Sequence, residues 1–145
     1  MDDAQGLIGG YLEELGAPFE RRSEREWTVM LPCHKRGGIG ARLIAGERTL
    51  ALRAFFMRGP DHEREAVYRR LLQKNLGTSA WRFALDRDGD VHLVAEAPLA
   101  TLTADQLDEL LGTLSTIVDE TYESTVRTGF AVPEGTEFRP PPSGA

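Results

Sequence analysis

Three aspartates at alternate positions are the first residues whose spacing suggests chemistry. Asp86, Asp88 and Asp90 lie in one short run, and oxygen-rich runs of this kind bind calcium in EF-hand loops. An EF-hand loop starting at Asp86 would need glycine at its sixth position and glutamate at its twelfth, where this chain has Val91 and Ala97. Because aspartate and glycine also form tight turns, we interpret the run as a turn between two strands and expect no metal site.

Cys33 followed by His34 is a second candidate, because an imidazole can activate a thiolate nucleophile. Adjacent side chains in extended backbone usually point apart, and no flanking sequence typical of a cysteine nucleophile is present. The histidines at positions 34, 62 and 92 have no paired spacing, whereas a zinc site needs four converging ligands. We therefore predict neither a catalytic cysteine nor a bound zinc ion.

The glycine-rich run at residues 35–40, Lys-Arg-Gly-Gly-Ile-Gly, could hold an anion with its amide groups. A phosphate-binding loop leads into the N-terminus of a helix, whereas this run continues into the strand-like residues Ala41 to Ala45. We interpret it as a connection between strands. The sequence also has no GxSxG, HExxH or GxxxxGK motif, which disfavours the common hydrolases and nucleotide enzymes. No catalytic or cofactor-binding residue is assigned.

The composition is that of one globular domain. The chain has 145 residues, of which 41% are hydrophobic and 28% charged, and this length can bury a core of its own. The densest apolar stretch, Leu50 to Met57, is shorter than the roughly 20 residues that span a membrane. No basic residue precedes Arg21, so an export signal is not expected, and a single cysteine cannot form an internal disulfide. We expect a cytoplasmic protein without membrane contact.

Charge is unevenly distributed along the chain. The formal net charge is -6, which argues against a dedicated nucleic-acid binder. Residues 21–82 are predominantly basic, whereas the residues on either side of them are predominantly acidic. This pattern leaves three interpretations: pairing of the last helix with the basic middle, a head-to-tail contact between subunits, or ordinary solvated helix faces.

Hydrophobic periodicity predicts an α+β fold, with an antiparallel sheet of five or six strands and three helices on one face. In chain order the predicted elements are a helix over about Ala4–Leu15, an edge strand over Phe19–Arg22, strands over Trp27–Leu31, Ala41–Ala45 and Thr49–Met57, a helix with Asp61 as N-cap that ends near Asn75, a hairpin around residues 86–90, and a last helix. The predicted core residues are Trp27, Leu43, Leu50, Leu52, Phe83, Val91 and Leu93.

The last helix has the strongest start signal in the chain. Thr103 and Gln106 have the spacing of a capping box, and Leu102 and Leu107 occupy the two positions of a hydrophobic staple. After Phe130 the chain becomes rich in proline and glycine. We therefore expect a domain over residues 1–130 and a flexible tail over residues 131–145.

The second face of the sheet is the predicted interaction surface. If Thr49–Met57 alternates regularly, Leu50 and Leu52 share one side, whereas Phe55 and Met57 point to the other. Apolar candidates from other strands join these two residues: Met30, Ile44 and Val94. An apolar second face is typical of homodimerisation or of a surface that grips an extended partner segment. The alternative is that the first helix or the tail folds over it.

Four blocks of sequence resemble the YbjN-domain family of actinobacteria, described as bacterial sensory transduction regulators. The resemblance extends over about Leu7 to Phe130. Its blocks occur in the family's order, and they lie at Phe55 to Arg58, Tyr68 to Asn75, Asp86 to Val94 and Leu107 to Gly112.

The resemblance implies a fold similar to the type III secretion chaperones and a non-enzymatic homodimer that binds another, unidentified protein. It provides no catalytic residues and no cofactor to carry over to this chain. Fold alone does not determine function, so a second class stays open. That alternative is a small-ligand sensor or enzyme with a pocket between helix and sheet.

Overall fold

The computed structural model describes residues 2–130, which form three helices and six strands. The helices are α1 (Asp2–Leu15), α2 (Arg64–Asn75) and α3 (Ala104–Gly129). The strands are β1 (Phe19–Ser23), β2 (Glu26–Leu31), β3 (Ile39–Ala45), β4 (Thr49–Met57), β5 (Arg82–Leu85) and β6 (Val91–Pro98). The predicted order of elements and the predicted α+β class are confirmed; the expected tail, residues 131–145, lies outside the described residues.

All six strands belong to one antiparallel sheet with the spatial order β1-β2-β3-β4-β6-β5. Strands β1 to β4 form a meander of consecutive neighbours. Strand β6 then pairs with β4, so that the short β5 lies at one edge of the sheet and β1 at the other. Within residues 2–130 no strand pairs with the outer side of β1 or β5, and on β5 the Asn75 side chain bonds the amide and the carbonyl of Phe83.

One face of the sheet, here called the inner face, packs against the helices. Ile8 and Leu12 of α1 and Leu114 of α3 are fully buried in the same cluster as the inward strand residues. Tyr122 of α3 contacts Phe56 of β4 edge to face, with ring centroids 5.4 Å apart. All seven predicted core residues are buried: Trp27, Leu43, Leu50, Leu52, Phe83, Val91 and Leu93.

Helix α3 begins where the sequence predicts. The Thr103 hydroxyl accepts a hydrogen bond from the Gln106 amide, and the Gln106 side chain accepts one from the Thr103 amide, each at 3.1 Å. These two bonds satisfy amides that a helix N-terminus would otherwise leave without partners. Leu102 and Leu107 are both buried, as a hydrophobic staple requires.

The predicted N-cap of α2 is wrong. Helix α2 starts after Glu63, whose backbone is left-handed at φ 54 and whose side chain makes no capping bond. Asp61 instead accepts a hydrogen bond from Arg58 at 2.9 Å. The start of the helix is set by tertiary contacts, since the His62 amide donates to the carbonyl of Gly129 at the end of α3.

Each helix within residues 2–130 is too short or too polar to span a lipid bilayer.

Candidate functional site

The side of the sheet opposite the helices, here called the outer face, is the candidate functional site. Along β3 and β4 the residues alternate between buried and exposed or half-buried, as expected when helices cover one face only. Helix α1 does not lie over the outer face, because its apolar residues are buried in the inner core. The outward side chains of the central strands include Thr28, Met30, Arg42, Ile44, Ala51, Arg53, Phe55, His92, Val94 and Glu96.

Four of the five residues predicted for this surface lie on it. Met30 is 49% exposed, and Ile44, Phe55 and Val94 are half-buried. The Phe55 ring meets His92 of β6 edge to face, with centroids 5.4 Å apart. These four apolar side chains form a partly exposed surface among charged residues. They lie on four adjacent strands, in the order β2, β3, β4 and β6.

The prediction for Met57 is wrong, because this residue is buried on the inner face with 2% exposure. The pairing of β4 with β6 shifts register between Phe55 and Met57, so that Phe56 and Met57 both point inward. Such a β-bulge adds one residue to a strand and breaks the alternation beyond it. Regular alternation therefore gives the correct face up to Phe55 and the opposite face for Met57.

Arg36, from the loop between β2 and β3, is bonded to the backbone at this bulge. Its guanidinium donates to the carbonyls of Phe55 and Phe56, each at 3.0 Å, and to that of Gly38 at 2.7 Å. Partial burial lowers the pKa of Arg36 from its ordinary value, but an arginine remains charged. The glycine-rich loop is thus a connection between strands, as expected, and its arginine fixes the end of β4. Nothing in the local sequence pattern indicates this role.

Three arginines lie side by side across the outer face, in what we call the arginine row: Arg42, Arg53 and Arg82. Arg42 of β3 is directly opposite Arg53 of β4, and Val94 of β6 separates Arg53 from Arg82 of β5. Arg42 pairs with Glu26 at 3.2 Å. The sequence alone does not reveal this row, because the pairing register that aligns the three arginines is not visible in the pattern of a single strand.

A second exposed surface, the apolar margin, lies where α2 meets the edge strand β5. Leu72 of α2 is 66% exposed, Leu76 directly after that helix is 95% exposed, and Leu85 of β5 is 50% exposed. Leu72 and Leu85 also border a cavity of about 70 Å³ between helix and sheet. Large exposed apolar side chains that cluster at one margin are typical of an interface.

The aspartates of the turn between β5 and β6 make hydrogen bonds within the fold. The Asp86 carboxylate accepts hydrogen bonds from the amides of Asp88 and Asp90 and lies 2.8 Å from Nε2 of His92. The bond with His92 holds the pKa of the Asp86 carboxyl below its usual range. The Asp90 carboxylate accepts from the Gly59 amide at 2.7 Å. The three acidic groups lie within 4.8 Å of one another; the Asp86 carboxylate closes the turn between β5 and β6, and the Asp90 carboxylate joins that turn to the segment after β4.

Cys33 and His34 point apart, as expected. The Cys33 side chain is buried, and burial raises the pKa of its thiol, which disfavours a reactive thiolate. His34 is exposed, and its amide donates to Asp119 of α3 at 2.7 Å. Lys35 forms an ion pair with Glu123 of α3 at 3.2 Å, so the basic middle and the acidic last helix do make contact within the chain.

Solved structures with a similar fold include protein complexes, two of which contain a chaperone by description. A chain of the ExsC–ExsE complex aligns with a TM-score of 0.61 and 21% identity, covering 83% of this chain and 94% of that chain. The Yersinia pestis type III secretion chaperone SycH, in complex with a fragment of YscM2, aligns with a TM-score of 0.54 and 20% identity, covering 86% and 98%. YbjN from E. coli aligns with a TM-score of 0.57 and 17% identity, covering 80% and 89%.

These likenesses, together with the open outer face, define the class: an α+β domain with the fold of the type III secretion chaperones. The particular family follows from the sequence. Residues 6–125 match the model of the YbjN family, described as "Putative bacterial sensory transduction regulator". The chain belongs to the YbjN family.

Curated relatives of this chain come from mycobacteria and are uncharacterized. The protein from Mycobacterium tuberculosis H37Rv is 35% identical over 102 residues, which are 70% of this chain and 56% of the relative. A Mycobacterium leprae protein is 34% identical over 103 residues, again 56% of the relative. The chain therefore spans little more than half the length of the curated relatives it matches.

Proposed function

We propose that this domain is a non-enzymatic, chaperone-like or regulatory module that acts as a homodimer and binds a partner protein on its outer face. The observation that carries the proposal is that the helices leave the outer face uncovered, so that Ile44, Phe55 and Val94 are only half-buried, beside arginines. The solved neighbours include complexes of chaperones with other proteins, which supports a protein partner. A surface of mixed apolar and cationic residues is typical of protein recognition.

The apolar margin is the proposed contact between two copies. Strand β5 is an edge strand, but the Asn75 side chain already bonds the amide and the carbonyl of Phe83 on that edge, so the proposed contact joins side chains and not strands. Two copies would meet about a two-fold axis through the exposed Leu76 of each. Such an arrangement would also bury Leu72 and Leu85 of each copy. The outer face then stays free for the partner, since the margin lies at one end of the sheet.

The ligand-sensor alternative has a depression of suitable volume where the end of α1 meets β2, about 500 Å³, but no polar side chain among the described residues lines it. The cavity between α2 and the sheet measures about 70 Å³, whereas sites for small ligands typically measure about 300–1,000 Å³. Its lining is apolar and includes one polar side chain, that of Tyr68, whose hydroxyl already donates to the Gly89 carbonyl at 2.8 Å. A metabolite retained in native mass spectrometry would favour this alternative over protein binding.

Light scattering tests the dimer. We expect a mass near twice 16.0 kDa for the full chain, and a monomer for the double variant Leu72→Ser with Leu85→Ser. The matched control is Met30→Ser, which removes an exposed apolar side chain from the outer face and leaves the mass unchanged. A folded margin variant that keeps the dimer mass would contradict the proposed interface.

Affinity capture from a native lysate tests partner binding. We expect a stoichiometric protein partner on the wild-type chain and its loss with the double variant Ile44→Ser and Phe55→Ser, whose side chains are only half-buried. The margin variant serves as the control for the outer face. Retention of the partner by the folded outer-face variant would show that another surface binds it.

A further inference from the structure

Two members of the arginine row have no carboxylate partner within residues 2–130. The Arg53 side chain makes no hydrogen bond or ion pair with any described residue, and the Arg82 side chain donates only to oxygens of Thr78 and Trp81. Arg53 also lies directly opposite Arg42, and like charges in that position repel each other. Arg53 and Arg82 therefore add positive charge to the sheet that no carboxylate within residues 2–130 neutralises, whereas Arg42 is paired with Glu26.

A shallow depression of about 440 Å³ lies against these arginines on the outer face. Its apolar surface comes from β3, β4 and β6, and its cationic groups come from β4 and β5. The residues that define it are Ile44, Ala51, Arg53, Arg82, Val94 and Glu96. Glu96 is the acidic member, and it is paired in register with Ala51, one row away from Arg53.

We propose that this depression binds an extended acidic segment of a partner protein. This inference rests on the proposed function, because it names the chemistry of the partner that the outer face binds. Carboxylates of the segment pair with Arg53 and Arg82, and an apolar side chain between them packs on Val94. Glu96 repels a carboxylate placed over the Ala51 row, so it favours acidic residues on the arginine row and an apolar residue over Ile44.

The spacing of the row fits an extended segment. Arg53 and Arg82 are two strand positions apart, which corresponds to about 10 Å. Residues of an extended chain rise by about 3.3 Å each, so acidic residues two or three positions apart reach both guanidiniums. Arginine also pairs with carboxylates through two parallel hydrogen bonds, which strengthens such a contact.

Charge argues against a second copy as the occupant. In a two-fold contact between outer faces, the same patch would meet itself, and the arginine row of one copy would oppose that of the other. An acidic segment of a different protein meets no such repulsion. The outer face and the apolar margin thus serve different partners.

Peptide binding tests the inference. The probe is a fluorescein-labelled peptide in which glutamate alternates with valine and leucine, and the matched control peptide has glutamine in place of every glutamate. On the full chain we expect the acidic peptide to bind at least about tenfold more tightly than the control peptide, with an affinity that falls as sodium chloride is added. Fluorescence anisotropy measures both affinities.

The variant Arg53→Gln with Arg82→Gln is expected to weaken binding of the acidic peptide at least about tenfold. The control variant Arg69→Gln with Arg87→Gln changes the net charge equally at exposed sites elsewhere, and we expect an effect below about twofold. Urea unfolding of both variants verifies that they are folded.

Three results would overturn the inference. Equal binding of the acidic and glutamine peptides would mean that the surface does not select carboxylates. Equal losses in the two arginine variants would mean that only net charge matters, and a reduced mass of the Arg53, Arg82 variant in light scattering would make the face a contact between copies. Absence of any peptide binding would also overturn it, while the proposed function would still be decided by the dimer and partner-capture experiments.

Discussion

The inner and outer faces of the sheet are built from the same strands, but only the inner face is completed by the chain's own helices. Neighbouring residues on β4 show the difference: Phe56 is fully buried against Phe83 and Tyr122, whereas Phe55 is half-buried beside His92. The inner face of the central strands is apolar, and the outer face combines apolar side chains with the arginine row. The comparison indicates that the packing that stabilises the fold lies on one face, and the other face is the one we propose for partner binding.

The largest expected effect separates the two phenylalanines of β4. Phe56→Ala should lower the free energy of unfolding by about 3–5 kcal/mol, because it leaves a cavity among fully packed aromatic rings. Phe55→Ala, its neighbour on the outer face, should cost less than about 1.5 kcal/mol. Urea unfolding measures both values, and similar losses for the two variants would contradict the division between the faces.

Substitutions of two methionines test whether the β-bulge turns Met57 to the inner face. Met57→Ser should lower the free energy of unfolding by about 2–4 kcal/mol, because it removes a buried side chain and places a hydroxyl in the core. Met30→Ser, at a position 49% exposed, should cost less than about 1 kcal/mol. If chemical denaturation gave the reverse order, Met57 would lie on the outer face after all.

A substitution of Arg36 tests whether its side chain stabilises the β-bulge of β4. Arg36→Gln should lower the free energy of unfolding by about 1.5–3 kcal/mol, because it removes charge-assisted bonds to the carbonyls of Phe55 and Phe56. The control Arg69→Gln removes an exposed arginine whose partner is Glu65 on the same helix, and it should cost about 0.5 kcal/mol or less. A variant at position 36 as stable as this control would mean that the bulge forms without Arg36.

The smallest expected effect has the opposite sign. Arg53→Gln should leave the free energy of unfolding unchanged or raise it by up to about 0.5 kcal/mol, because it relieves repulsion from Arg42. Arg42→Gln relieves the same repulsion but also loses the ion pair with Glu26, so it should be the less stable of the two variants. A clear loss of stability in Arg53→Gln would assign this arginine to the fold rather than to recognition.

Local patterns predicted the elements well because the forces behind them act between near neighbours. The capping box of Thr103 and Gln106 satisfies amides three residues apart, and alternation along Thr49 to Phe55 depends only on the geometry of one strand. The turn of Asp86 to Asp90 is likewise closed by its own side chains and backbone. Such features are visible in a single sequence.

The sequence by itself determined the order of elements, the residues of the core and four of the five members of the candidate surface. Only the tertiary structure decided that Met57 turns inward and that the three arginines form one row. The physical reason is the distance along the chain between the residues that make the deciding contacts. A bulge bonded by Arg36 and a row aligned by four paired strands depend on contacts between residues far apart in the chain, which local periodicity does not contain.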